Sequence, residues 1–223
     1  GGVDEIVVMN FQLPVLTNIL DDVEFFDRER TDRAYVDLGL VLYDAGLSTR
    51  KTATVLSWLG ADISHVTVWE WINKFGKQLT DTPPVNDIPD VILMDETSIT
   101  QRGEEFTLFA ALHPTTRDII HLQCYPSRNA LTTRLFMEEI ERLYGTLPTV
   151  VVTDNAVGYG AAFQRLGIRQ IVIQTGIRNH IERWFQELKR RIDAFYASFT
   201  GKSVDTTQHW LRQFTWFWNN CLS

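Results

Sequence analysis

The first clear pattern along the chain is helical, because apolar residues recur at helical spacing between residues 32 and 77. Two breaks interrupt the pattern, at 45–48 and at 60–64, and each combines a glycine with a serine that can cap the next helix. Two short helices joined by a tight glycine-containing turn are typical of a helix-turn-helix. Its second helix is predicted for 64–77. The apolar positions are Leu38, Val41, Leu42, Val55, Leu56, Leu59, Val68, Trp71, Ile72 and Phe75.

Beyond residue 80 the pattern changes from helical to strand-like. The stretch 80–89 contains Pro83, Pro84 and Pro89, which stop both helices and central strands, and it is predicted to be a linker. Three strands followed by alternating helices and strands predict an α/β fold, a mixed sheet flanked by helices in the element order of the ribonuclease-H-like fold. The strands are predicted for 91–95, 105–113, 118–125, 149–154 and 168–174, and the helices for 131–144, 156–166, 179–196 and 206–221.

These patterns divide the chain into four parts. We expect an N-terminal segment (1–30), a small all-α helix-turn-helix domain (31–80), a linker (81–89) and a ribonuclease-H-like domain (90–223).

Composition narrows the class of protein. An apolar content of 44% is ordinary for a soluble globular protein and argues against disorder. No run approaches the roughly 18 apolar residues of a membrane helix, so no membrane association is expected. The two cysteines, Cys124 and Cys221, lack metal-ligand or redox spacing, so we expect a reducing, cytoplasmic location.

Net charge counts against a nucleic-acid partner. Lys and Arg total 21 against 28 acidic residues, for a net charge of −7, whereas a DNA-binding protein usually carries a basic footprint. Local charge points the other way, because catalytic metal sites need acids and because one short stretch concentrates basic residues. These are Arg178, Arg183, Lys189, Arg190 and Arg191.

Two aspartates follow strand-like runs: Asp95 after Val-Ile-Leu-Met, and Asp154 after Val-Val-Val-Thr. An Asp directly after a strand is common as a turn former. For either residue alone, a turn former is as good an interpretation as a metal ligand. The pair is more informative, because parallel strands of an open sheet bring their carboxyl ends side by side, where ligand sites form. Asp95 and Asp154 could then share a metal ion.

Glu182 lies on the amphipathic, Arg-rich helix predicted for 179–196. At 100° per residue, Arg178, Glu182 and Lys189 fall along one border of the apolar stripe, while Arg183 and Arg190 point away from it. The spacing of Arg178 and Glu182 is also that of an ordinary intrahelical ion pair, and periodicity alone favours that reading.

The spacing of Arg178, Glu182 and Lys189 resembles the C-terminal signature of DDE transposases, in particular those of the insertion sequence 6 family. Residues 91–97 (Val-Ile-Leu-Met-Asp-Glu-Thr) resemble the family's first-Asp segment. Residues 152–155 (Val-Thr-Asp-Asn) resemble its second, and 126–129 (Pro-Ser-Arg-Asn) resemble a short block between them. The resemblance covers nearly the whole chain.

The resemblance implies a mechanism. Asp95, Asp154 and Glu182 would be the catalytic residues and the ligands of two Mg²⁺ (or Mn²⁺) ions, and Arg178 and Lys189 would hold backbone phosphate. Arg128 is a further candidate phosphate contact, for which an ordinary surface charge is an equally good explanation. Arg183 and Arg190 are candidate DNA contacts on the same basic helix.

The resemblance also implies partners: double-stranded DNA, at the element's terminal inverted repeats and at the target, and a homodimer or larger assembly. Ser64, Thr67 and Asn73 are candidate groove-facing positions of the helix-turn-helix, although short helix pairs often only pack. Two alternatives to a transposase remain, a catalytically inactive or domesticated DNA-binding protein and a nuclease of the same fold.

Overall fold

A computed structural model describes residues 31–101, 104–154, 159–173, 184, 186, 190 and 203–222. The chain divides into two compact units, Gly1–Trp71 and Ile72–Ser223. Within the described residues, none of the helices combines the length and the apolar content needed to span a bilayer. The N-terminal segment 1–30 lies outside the described residues.

Three helices follow one another in the first part of the chain: α1 (Arg33–Asp44), α2 (Thr49–Trp58) and α3 (His65–Gln78). Each starts at a predicted or equivalent capping side chain. The N–H of Ala34 donates to Asp32 Oδ1 (3.0 Å), that of Lys51 to Ser48 Oγ (3.3 Å) and that of Thr67 to Ser64 Oγ (3.1 Å). The predicted breaks at 45–48 and 60–64 are confirmed as the turns between these helices. The core of the first unit contains Val36, Leu40, Tyr43, Leu56, Val68 and Trp71. The predicted apolar positions are buried in α3 but not in α1, where Leu38, Val41 and Leu42 are only half-buried, and Leu59 after α2 is 51% exposed.

A short 3₁₀ turn (Leu79–Asp81) follows α3, and residues 82–90, all of them described, contain neither helix nor strand. The sheet then begins. Its strands are β1 (Val91–Gln101), β2 (Glu104–Leu112), β3 (Ile119–Tyr125), β4 (Val150–Thr153) and β5 (Arg169–Val172). The intervening helices are α4 (Ala130–Tyr144) and α5 (Tyr159–Leu166), and α6 (Val204–Phe217) runs into a π-helical turn, Trp218–Leu222.

The five strands are ordered β3-β2-β1-β4-β5. The first three form an antiparallel meander, and β4 and β5 add in parallel on the other side of β1. This arrangement, with helices packed on the sheet, confirms the predicted ribonuclease-H-like α/β fold.

One strand prediction is wrong at its C-terminal end. The strand predicted for 91–95 continues to Gln101, because residues 96–101 keep pairing with β2 down to Gln101 opposite Glu104. Thr97 and Ile99 are β-branched and suit a strand. Asp95 therefore lies within β1 and does not close it.

The main core lies between the sheet and the helices α4 and α5. It contains Ile92, Met94, Phe109, Ala111, Ile120, Phe136, Met137, Ile140, Val151, Tyr159, Phe163 and Ile168. Since side chains alternate along a strand, Ile92 and Met94 define the helix-covered face of β1, and Leu93 and Asp95 belong to the opposite face.

The last helix covers the open edge of the sheet. Gln208 of α6 accepts from the N–H of Cys124 (3.3 Å) and donates to the carbonyl of Leu122 (2.7 Å). Asn219 makes the same double contact with Ile119 (2.8 and 2.9 Å). An unpaired edge strand invites association with other strands, and these two amides occupy its hydrogen-bonding groups.

Candidate active site

The register of the two parallel strands brings Asp95 and Asp154 together. Ile92 pairs with Val151 and Leu93 with Val152. Continuing this register by two residues sets Asp95 opposite Asp154, on the face of the sheet away from α4 and α5. Neighbouring strands are about 4.8 Å apart, so two carboxylates in this relation can reach one ion. Both residues are half-buried. We call them the Asp95–Asp154 pair.

Local hydrogen bonds hold both ends of the pair. The N–H of Glu96 donates to Asp95 Oδ1 (2.9 Å). At the end of β4, the Thr153 hydroxyl donates to the carbonyl of Asp154 (2.8 Å) and accepts from the Gln170 amide of β5 (2.8 Å). The backbone that carries the two carboxylates is therefore tied to strands on both sides.

A third carboxylate stands next to the pair, and the sequence reasoning gave it no role. Glu96 follows Asp95 in β1, and its side chain is 9% exposed and forms an ion pair with Arg128. The pKa of Glu96 is raised to about 7. Burial is the main cause of the rise, Arg128 opposes it, and the negative charges of Asp95 and Asp154 add to it. The Asp95–Asp154 pair and Glu96 therefore share one strongly negative region. The adjacent Asp-Glu in the sequence was the available signal for it.

Arg128 is held at the start of α4. The next residue, Asn129, caps this helix: its Oδ1 accepts from the N–H groups of Leu131 (2.9 Å) and Thr132 (3.0 Å). The Thr132 hydroxyl in turn accepts from the N–H of Asn129 (3.0 Å), which completes a capping box. The block 126–129 is thus a helix start that carries Arg128 toward Glu96, and the Arg128 side chain stays 38% exposed.

The remaining residues of the predicted catalytic and phosphate-binding set, Glu182, Arg178, Lys189 and Arg183, lie outside the described residues. In the same segment Trp184, Gln186 and Arg190 are described and helical, and Arg190 is exposed. Trp184 is buried and packs edge-to-face against Trp218, with ring centroids 6.1 Å apart. Among the described residues, no three His, Cys, Asp or Glu side chains are close enough to hold a metal ion.

The candidate groove-facing residues lie at the start and in the middle of α3. Ser64 is exposed, and its hydroxyl caps the helix and contacts the Thr67 hydroxyl at 3.0 Å. Thr67 and Asn73 are half-buried, and Asn73 Oδ1 is shielded from solvent. Larger exposed side chains near the same turn are Trp58 (76% exposed) and Val66 (51%).

Comparison with known proteins gives distant similarities. No protein-family model matches the chain. An uncharacterized protein of Methanocaldococcus jannaschii is 29% identical over 212 residues, which are 95% of this chain and 97% of that protein. This relative has no described activity to compare.

Solved structures that resemble the chain include three retroviral integrases. The HTLV-2 integrase catalytic core domain in complex with magnesium (trimeric form) has a TM-score of 0.45 at 14% identity and covers 61% of this chain and 88% of its own. The simian T-cell lymphotropic virus intasome in complex with the PP2A regulatory subunit B56 gamma has a TM-score of 0.49 at 14% identity (83% and 69% covered). The BIV integrase catalytic core domain has a TM-score of 0.44 at 18% identity (60% and 85% covered).

Proposed function

We propose that this protein is a DDE-type transposase of an insertion sequence, which cleaves DNA at the element's ends and joins the freed ends to target DNA. One observation carries the proposal: Asp95 lies in β1 and Asp154 directly follows β4, the adjacent parallel strand of a ribonuclease-H-like sheet, and the register of the two strands, continued by two residues, sets them opposite each other. The resemblance of the first-Asp, second-Asp and Arg-rich segments to the insertion sequence 6 family supports the finer assignment.

The donor set fits a hard divalent cation. Asp95 and Asp154 offer carboxylate oxygens, which Mg²⁺ and Mn²⁺ prefer, and their negative charges add to the rise that burial causes in the pKa of Glu96. In this proposal Asp95, Asp154 and Glu182 hold two ions. When bound, such ions activate an attacking water or 3′-hydroxyl and stabilise the leaving oxygen in an in-line displacement.

The chain's basic residues would bind the DNA. Arg178, Lys189 and Arg128 are proposed to hold phosphates near the scissile bond, and Arg183 and Arg190 to contact DNA further along. The helices between residues 31 and 80 are proposed to read the terminal inverted repeats, and residues 90–223 to carry the chemistry. Since two ends must be joined, the proposed active form is a homodimer or larger assembly.

The test is strand transfer of a precleaved duplex into supercoiled plasmid, with Mg²⁺, Mn²⁺ or EDTA. The duplex carries the inverted repeat found in the DNA that flanks the coding sequence. We expect metal-dependent joining by the wild type and none by Asp154→Asn, which keeps the size of the side chain and removes a metal ligand. Glu138→Gln, at an exposed carboxylate of α4, is the matched control and should join like the wild type.

The outcomes separate the rival functions. Metal-dependent nicking without joining would instead identify a nuclease of the same fold. Binding of the duplex without any chemistry would identify an inactive DNA-binding protein. Joining by Asp154→Asn at the wild-type rate would remove Asp154 from the site.

A further inference from the structure

Glu96 occupies a position that the fold otherwise gives to apolar side chains. It lies on the helix-covered face of β1, in line with Ile92 and Met94, which are both fully buried. Its partner across the β1–β2 ladder is Phe109, also fully buried. An apolar residue here would extend the core, whereas a carboxylate must be desolvated.

Stability alone does not account for the Glu96–Arg128 ion pair. Removing the Glu96 carboxylate from water costs free energy that its attraction to the partly exposed Arg128 often fails to recover, and replacing such a pair by apolar residues is often neutral or stabilising. One oxygen of the carboxylate, Glu96 Oε2, is buried and has no hydrogen-bond partner among the described residues. The pair is therefore costly to the fold, and its location indicates another use.

That location is the end of the sheet that carries the Asp95–Asp154 pair. Glu96 directly follows Asp95, donates its N–H to the Asp95 carboxylate and feels the charge of Asp154. Arg128 reaches Glu96 from the capped start of α4 with more than a third of its side chain open to solvent. A guanidinium has five donor hydrogens, and its planar fork matches a phosphate.

We propose that Glu96 is a positioning residue, which holds the Arg128 guanidinium at the end of the sheet where the Asp95–Asp154 pair lies, on the other face of β1, so that Arg128 binds a DNA backbone phosphate there. The inference rests on the proposed function and deepens it, because it explains how a cation is kept at one place in a strongly acidic region. Without Glu96, the long Arg128 side chain would sample many rotamers, and each phosphate contact would carry the cost of ordering it.

The experiment compares Glu96→Gln, Arg128→Ala, Arg128→Lys and the double variant Glu96→Gln/Arg128→Ala in the strand-transfer assay. Asp95→Asn reports on the proposed function itself, and Glu138→Gln is the matched control, since Glu138 pairs with Arg134 on the surface of α4 (3.4 Å). Each protein is characterised by its KM for the precleaved duplex, its maximal joining rate and its melting temperature.

We expect Glu96→Gln and Arg128→Ala each to raise the KM on the order of 10-fold, because each would weaken or remove one charge-assisted hydrogen bond to the phosphate. The maximal rate should change less. The melting temperature of the double variant should stay within a few degrees of the wild type or rise, because both charges are gone, whereas each single change leaves one partner unpaired and should lower the melting temperature. The double variant should be no worse than Arg128→Ala alone, because both changes remove the same contact. Arg128→Lys should rescue poorly, since Lys lacks the planar fork.

Four results would overturn the inference. If Glu96 only neutralised Arg128, Glu96→Gln would add positive charge and lower the KM. If the pair were only structural, the melting temperature and the maximal rate would fall together at unchanged KM. Wild-type kinetics in both variants, with joining lost in Asp95→Asn, would remove the pair from the site and leave the proposed function intact. A wild type without metal-dependent chemistry would overturn both.

Discussion

Acid should destabilise the protein through one buried imidazole. His121 lies on β3, is 4% exposed and packs its ring against Phe136 of α4, with centroids 5.1 Å apart. Its Nε2 is buried without a hydrogen-bond partner among the described residues. The pKa of His121 is lowered to about 4. Burial is the main cause. The neighbouring Arg212 of α6 and Arg142 of α4 act in the same direction, and Glu139 of α4 opposes them.

The sign and size of the effect follow from linkage. The folded protein holds His121 neutral down to about pH 4, whereas the unfolded chain protonates it near its ordinary value of 6.5. The stability that this difference contributes is present above pH 6.5, falls as the pH drops, and is lost below about pH 4. The difference between the two pKa values corresponds to about 3 kcal/mol, undiminished by solvent because the ring is fully buried.

The assay is urea unfolding of the wild type and of His121→Phe, between pH 7.5 and pH 3.5. Phe keeps the ring contact with Phe136 and cannot titrate. Glu96 also titrates in this pH range, and its raised pKa changes the free energy of unfolding in the opposite direction. Because Glu96 is present in both proteins, its effect cancels when the two free energies of unfolding are subtracted. The free energy of unfolding of the wild type relative to the variant should fall by about 3 kcal/mol from pH 7 to pH 4.

A matched control is His65→Phe, at an exposed histidine at the start of α3. This variant reports what a His-to-Phe change does by itself at a position that is already exposed. If the difference between wild type and His121→Phe stayed constant across the whole range, the account of His121 as a buried neutral imidazole would be refuted.

Three further predictions concern packing, edge protection and charge. Gly76→Ala should destabilise by about 1–3 kcal/mol or more, because its Cβ would lie 1.8 Å from the carbonyl oxygen of His209 on α6. A melting temperature equal to that of the wild type would show that α3 and α6 can separate at no cost. Gln208→Leu should speed hydrogen exchange at the Cys124 amide, which donates to Gln208; unchanged protection would mean that another group covers the edge of β3. Asp154→Asn should raise the melting temperature in EDTA, since it relieves repulsion within the Asp95–Asp154 pair, and a decrease would argue that the two charges do not meet.

Much of the local structure was predictable from sequence, because its causes are local. Ser48 and Ser64 start α2 and α3 by bonding backbone groups three residues away, and in α3 the apolar periodicity selects the buried face. The apolar runs before Asp95 and Asp154 were enough to predict the two strands, whose parallel pairing brings these residues together. The error at the end of β1 has the opposite origin, because residues 96–101 are a strand only through their pairing with β2.

The sequence by itself therefore determined most of the helices and strands that the structure describes, and it singled out Asp95 and Asp154 as candidate ligands. Only the tertiary structure decided that Glu96 meets Arg128, 32 residues along the chain, and that Gln208 and Asn219 protect an edge strand 84 to 100 residues away. Neither follows from local pattern, because a side chain's partner across the fold depends on strand order and register. These are set when the whole sheet and the helices that pack on it bury their apolar faces together.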